Sequence, residues 1–286
     1  MNKSGIIKIK KRKIKVIKIM KKTTKIILIA AAVMVFFNSG LTVSAQTGGN
    51  GRPPLQDNKN YNWYFVPVKN HEQPNFDINL DALKNYGAYA IGNKDDKVLY
   101  LTFDFGYENG NVKKCLDVLN KNNVKGAFFI LDNVLKNNAD LIKEMVDTGH
   151  TVANHTMKHK NMCNIRDFKD YEKELVGLDK LFEEKTGHKM AKYYRPPKGE
   201  FTKQNLEYTQ KLGYKTIFWS VAYKDWDNDS QPDKEVSIKK VLSITHNGAV
   251  VLLHPTSATN AAILDSLIRE WKAMGYRFGT LDELTK

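Results

Sequence analysis

From residue 98 onward the chain alternates short apolar runs with amphipathic stretches at helical spacing. Val98–Phe103 reads as a buried strand, and Asn111–Lys121 sets Val112, Cys115, Leu116 and Leu119 on one helical face. The alternation continues with strands at Gly126–Leu131, Thr151–Asn154, Tyr193–Tyr194, Thr216–Ser220, Val250–Leu253 and Tyr276–Phe278. Between them, helices are predicted over Leu141–Thr148, Asp167–Thr186, Thr202–Leu212, Lys234–Thr245 and Ala261–Met274. Three helices end on one phrase, Thr-Gly-His150, Leu-Gly-Tyr214 and Met-Gly-Tyr276. In each, a glycine stops the helix and a ring-bearing residue enters the next strand. Seven strand-like runs alternating with helices predict a parallel α/β sheet, open or closed to a barrel. No linker interrupts residues 61–286, which are expected to form a single catalytic domain; residues 46–60, rich in Gly, Pro and Asn, read as a linker.

Parallel α/β folds carry their chemistry at the carboxyl ends of the strands. The unusual polar residues of this chain fall there: Asp104, then His155 and His159, then Arg195, Asp225 and His254. Each alone has a bland reading. Asp104 could cap a helix, the histidines could be loop residues, and Asp225-Trp-Asp-Asn-Asp229 could be a polar turn. That turn lacks the glycine and closing glutamate of a calcium-binding loop. Five consecutive strand ends bearing such groups point to a hydrolytic site.

The net charge of +14 suggests nucleic acid until it is located. Residues 1–25 hold eleven Lys or Arg and no acid, so removing them leaves +3 for the rest. The basic stretch precedes the apolar Ile26–Phe37 and a small-residue pattern, Val43-Ser44-Ala45. Residues 1–45 therefore read as a signal peptide, or as an uncleaved amino-terminal anchor, and Met20 could begin a leader of ordinary size. The protein is expected to be exported and not to bind nucleic acid. Cys115 and Cys163 show no disulfide spacing signature; an exported protein leaves a disulfide between them open, and the bland reading is two free or semi-buried thiols.

The segments Thr102-Phe-Asp-Phe-Gly-Tyr-Glu-Asn-Gly110, Asn154-His-Thr-Met-Lys-His159, Arg195-Pro-Pro-Lys-Gly-Glu-Phe201, Phe218-Trp-Ser-Val-Ala-Tyr-Lys-Asp-Trp226 and Leu252-Leu-His254 together resemble the motif set of NodB-type polysaccharide deacetylases, carbohydrate esterase family 4. Gly106-Tyr-Glu-Asn-Gly110 is most similar to the spore-cortex delta-lactam branch, which deacetylates N-acetylmuramic acid in peptidoglycan. The resemblance implies a distorted (β/α) barrel of about seven parallel strands. It implies Asp104 as general base paired with Arg195, and His254 as general acid held by Asp225. Tyr107, Leu253, Trp226 and Pro197 would contact substrate, and a backbone amide near Gly106 or Tyr107 would hold the oxyanion. Family members bind zinc or a similar divalent cation through a second acid and two histidines, here His155 and His159. Phe105 occupies the second acid position and cannot ligate. Further implications are peptidoglycan glycan strands as substrate, functional partnership with a cell-wall amidase, a monomer, and a cell-wall or forespore-envelope location. The alternatives are a chitooligosaccharide or N-acetylglucosamine deacetylase, and an inactive cell-wall-binding module.

Overall fold

A computed structural model describes Arg52 and residues 54–286; the expected leader and the first part of the expected linker lie outside the described residues. Three short strands come first, β1 (Tyr61–Asn62), β2 (Phe65–Val66) and β3 (Asn75–Phe76), then α1 (Leu80–Lys84) and β4 (Ala88–Tyr89). The alternating region follows as β5 (Val98–Phe105), α2 (Asn111–Lys121), β6 (Ala127–Ile130), α3 (Asp132–Asn137), α4 (Ala139–Asp147), β7 (Thr151–Asn154) and α5 (Phe168–Thr186). It continues through β8 (Tyr193–Tyr194), β9 (Glu200–Phe201), α6 (Lys203–Lys211), β10 (Lys215–Ile217) and α7 (Lys234–Ile244). The chain closes with β11 (Ala249–Leu253), α8 (Ala258–Ala273), β12 (Arg277–Phe278) and α9 (Leu281–Leu284).

The helix boundaries follow local chemistry. Asp167, Thr202, Asp233 and Ser257 accept backbone N–H groups at the starts of α5, α6, α7 and α8. Ser257 starts α8 one turn before the expected position. At the three expected stops, Gly149, Gly213 and Gly275 adopt φ of 81°, 82° and 85°. The following residue then donates its N–H back to the helix, as in His150 N to Met145 O and Tyr276 N to Trp271 O, both 2.9 Å.

The main sheet runs β11-β5-β6-β7-β8-β10-β4, with β12 on the first residues of β5, and every pairing in it is parallel. The seven expected strands are present, and Ala88–Tyr89 is an eighth that two residues of sequence could not announce. The expected strand end at Ser220 leaves β10. Val221 instead bridges to Val251 beside β11, with Leu252 N to Val221 O at 2.8 Å. The ring thus closes through isolated bridges rather than a continuous ladder, which is the distortion of this barrel.

Two cores follow from strand alternation. Val98, Tyr100, Ala127, Phe129, Ala153, Tyr193, Ile217 and Val250 fill the barrel interior with Leu281 and Leu284 of α9. Leu99, Leu101, Phe103, Phe105, Phe128, Ile130, Val251 and Leu253 face outward against α2, α3, α4, α5, α7 and α8. Burying each such side chain contributes about 1.5–3 kcal/mol. Leu55, within the stretch expected as linker, is buried with Trp63, Phe76 and Phe218. Among the described residues no helix is long and apolar enough to cross a membrane.

Candidate active site

The period of two that separates the cores also builds the site. On β5, Val98, Tyr100 and Thr102 face inward, and Asp104 is the next inward position. Phe105 falls on the outer face, its ring edge-on to Phe128 with centroids 6.1 Å apart. The same parity aims His155 inward after Ala153, Arg195 after Tyr193, and His254 after Val250 and Leu252. It also corrects the expectation for Leu253. That residue is buried among the helix-facing side chains with Ala249 and Val251, so Leu252 is the inward residue before His254.

Asp104 and Arg195 form a buried ion pair, Nη1 to Oδ1 at 2.7 Å. Arg195 is wholly buried and spends its remaining donors on Thr102 Oγ1 (2.9 Å), Ile217 O (2.9 Å) and Phe218 O (3.2 Å). Its guanidinium lies 4.3 Å from the Phe129 ring centroid. Burial alone would raise the Asp104 pKa. The charges of Arg195, His155 and His254 and the Arg195 hydrogen bond outweigh it and hold the carboxyl below its ordinary value. One oxygen is committed to Arg195, and Oδ2 remains for chemistry.

His155 Nδ1 donates to Arg195 O at 2.8 Å, because a carbonyl can only accept. Burial lowers its pKa to about 4, so the ring is neutral and Nε2 carries a bare lone pair. That lone pair faces Asp104 Oδ2 at 3.8 Å. Two acceptors at this separation fit one bridging water that donates to both. The His159 ring lies 5.0 Å from that of His155, and burial lowers its pKa too.

The histidines share a loop rather than a helix. Thr156 and His159 have φ of 75° and 54°, a conformation costing a non-glycine residue about 1–3 kcal/mol. Two buried acids hold it. Glu174 on α5 accepts Lys158 N (3.1 Å) and pairs with Lys160 (2.7 Å), and Asp132 on α3 pairs with Lys158 (2.5 Å). The donor set for a divalent cation stops at the two imidazoles and Asp104 Oδ2. Among the described residues no three His, Cys, Asp or Glu side chains are grouped to hold an ion. Phe105, in the core, cannot supply the missing ligand. With Asp104 Oδ2 taken by its role as base, only the two imidazoles remain as free protein ligands, one short of the three of catalytic zinc, and the chemistry is assigned to protein side chains.

On the opposite side, His254 Nδ1 meets Asp225 Oδ1 at 2.7 Å, and its backbone N donates to Oδ2 at 2.8 Å. Burial would lower the His254 pKa. The Asp225 hydrogen bond and the charges of Asp225 and Asp104 overcome it and raise the pKa above the ordinary value. Sequence reading missed what fixes Asp225. Asn260 on α8 donates to Asp225 Oδ2 (2.6 Å) and His254 O (3.0 Å), and accepts from the Tyr223 hydroxyl. Gln231 ties the same loop to α8 through Asp225 O (3.2 Å) and Ser257 Oγ (2.6 Å). Neither carries a motif signal, since their role depends on contacts made across the fold.

At the rim, Tyr107 and Trp226 are exposed, and the Trp226 ring lies 6.1 Å from His254. Asn228 donates to the Tyr107 hydroxyl, linking the two rim loops. Pro197 is buried in the turn after Arg195. Cys115 and Cys163 are buried free thiols, their pKa pushed up by burial to about 12 and about 11, as fits two inert residues.

One carboxylate and one imidazole, each held by an oppositely charged partner beside a bridging-water position, can hydrolyse an amide. Residues 91–217 match the family model described as polysaccharide deacetylase. The chain is 38% identical over 238 residues to the Bacillus subtilis peptidoglycan-N-acetylmuramic acid deacetylase PdaA, covering 83% of this chain and 90% of that one. The chain belongs to the polysaccharide deacetylase family. The solved structure of Bacillus subtilis PdaA, described as a family 4 carbohydrate esterase, aligns with a TM-score of 0.76 over 80% of this deacetylase and 98% of that chain. The Listeria monocytogenes peptidoglycan-N-acetylglucosamine deacetylase PgdA is 33% identical over 191 residues, 67% of this chain and 39% of that one. This deacetylase is accordingly a hydrolase of linear amides.

Proposed function

We propose that this deacetylase removes the acetyl group from N-acetylmuramic acid residues of peptide-free peptidoglycan strands, toward the muramic delta-lactam of spore cortex. The observation that carries the chemistry is the pair of opposite charge partnerships: Arg195 2.7 Å from Asp104, which favours the carboxylate, and Asp225 2.7 Å from His254, which favours the imidazolium. The likeness to PdaA along most of both chains supports the muramoyl substrate.

In this mechanism Asp104 Oδ2 and His155 Nε2 hold the attacking water. Asp104 takes its proton as the oxygen adds to the acetyl carbon. His254, with Nδ1 committed to Asp225, donates from Nε2 to the sugar nitrogen. The carbon–nitrogen bond breaks, leaving acetate and the free amine. Tyr107 and Trp226 offer aromatic faces to the flanking sugar rings.

The test is acetate release by the purified enzyme from peptide-free glycan strands and from chitooligomers. Release from muramoyl residues supports the proposal, and release from chitooligomers alone assigns a glucosaminyl substrate. No release from either supports a wall-binding module, in which the same base and acid would be idle. Asp104→Asn is expected to abolish release, and its survival refutes the base assignment. A chelated, metal-free sample tests the water site: retained release supports the two acceptors, while loss restored by zinc assigns His155 and His159 to an ion. Export is part of the proposal, with cleavage after Ala45; a secreted chain that retains Ile26 refutes the cleavage.

A further inference from the structure

An N-acetylmuramoyl residue differs from N-acetylglucosamine by a lactyl ether on the ring carbon next to the acetamide, and that ether ends in a carboxylate when the peptide is absent. A site that selects muramoyl residues needs a cation beside its acetamide pocket. We propose that Lys198 is this cation and that its pairing with the lactyl carboxylate sets the preference for muramoyl over glucosaminyl residues; this rests on the muramoyl reading above.

Lys198 lies three residues past Arg195, whose carbonyl oxygen accepts from His155, so its turn borders the two-histidine shelf. The turn is held hard. Trp63 N donates to Gly199 O at 2.9 Å and Gly199 N to Pro196 O at 3.0 Å. A Cβ on Gly199, whose φ is 70°, would lie 2.7 Å from Trp63 Cβ and 2.9 Å from the Trp219 ring. Lys198 itself sits at φ 58°, ψ 6°, a left-handed conformation that glycine or asparagine would adopt with less strain. A strained lysine fixed at the edge of a reaction site points to a task for its side chain.

Neighbouring cations are already committed. Lys158 and Lys160 pair with Asp132 and Glu174, Lys192 with Asp179, and Lys203 with Asp57. Lys198 is exposed and has no carboxylate within ion-pair distance among the described residues. An uncommitted cation on a rigid turn, three residues from the arginine whose carbonyl accepts from His155, is placed to meet a substrate anion at the edge of the site.

The test compares kcat/KM on peptide-free glycan strands with the lactyl carboxylate free and with the same group converted to an amide. Wild type is expected to prefer the free carboxylate by on the order of tenfold to a hundredfold, the range of one charge-assisted hydrogen bond. Lys198→Gln should bring the ratio close to one, mainly through KM, and Lys198→Arg should keep it. Both substrates are read on one preparation, so partial misfolding cancels in the ratio. A ratio unchanged in Lys198→Gln, or no preference in a wild type that does deacetylate muramoyl residues, overturns the Lys198 assignment alone. A wild type that releases acetate from no muramoyl substrate refutes the functional reading beneath it.

Discussion

Replacing Arg195 with glutamine would strand the Asp104 carboxylate in the barrel. The arginine is wholly buried, with Nη1 2.7 Å from Asp104 Oδ1 and three further hydrogen bonds to Thr102, Ile217 and Phe218. Removing one partner of a buried pair costs about 3–5 kcal/mol, because the remaining charge has lost water and gained nothing. For a domain of this size each kcal/mol moves Tm by about 2–4 °C, so a fall of about 10 °C is expected. Asp104→Asn separates the two contributions more sharply. In wild type this change destabilises, since it leaves Arg195 as the unpaired ion. In the Arg195→Gln background it should stabilise by about 1 kcal/mol or more, because it removes the stranded charge. Urea unfolding of the four proteins at pH 7 measures the cycle. If Asp104→Asn costs the same with and without Arg195, or if Arg195→Gln costs under about 1 kcal/mol, the pair is not the electrostatic unit described here.

Three further outcomes follow from the same geometry. Asp225→Asn removes the charge that helps raise the His254 pKa, so the alkaline limb of the kcat/KM profile, where the acid loses its proton, should move to lower pH; a stationary limb refutes the pairing. Asn260→Leu frees Asp225 Oδ2 and should lower kcat about tenfold with little change in KM, and an unchanged kcat would show the loop holds itself. His150 is buried with its pKa depressed to about 4 against an ordinary 6.5, so its contribution is full above pH 6.5 and is lost as pH falls toward 4. Unfolding free energies at pH 7 and pH 5 should differ by about 2 kcal/mol less in His150→Gln than in wild type, and an equal difference refutes this.

The elements with strong local signals were legible in the chain alone. The helix Asn111–Lys121 and the strand Thr151–Asn154 end where their apolar spacing does, and three glycines stop helices because only a residue without Cβ takes φ near 80° at no cost. The strand ends, and with them Asp104, His155, Arg195, Asp225 and His254, were legible for the same reason: a buried run must stop where the chain turns polar. Asn260, Gln231, Glu174 and Lys198 were not legible, since asparagine, glutamine, glutamate and lysine are ordinary surface residues until another element approaches them.

The sequence by itself determined the order of strands and helices, the polar residue at each strand end and the apolar Phe105 beside Asp104, all of which depend on neighbours a few residues away. Only the tertiary structure decided which face each residue took. It turned Phe105 and Leu253 outward into the helix-packed core, fixed His155 as an acceptor through the Arg195 carbonyl, and left Lys198 without a carboxylate partner among the described residues. Protonation and pairing depend on burial and on charges brought together from residues 91 and 29 positions apart, and that convergence exists only once the barrel has closed.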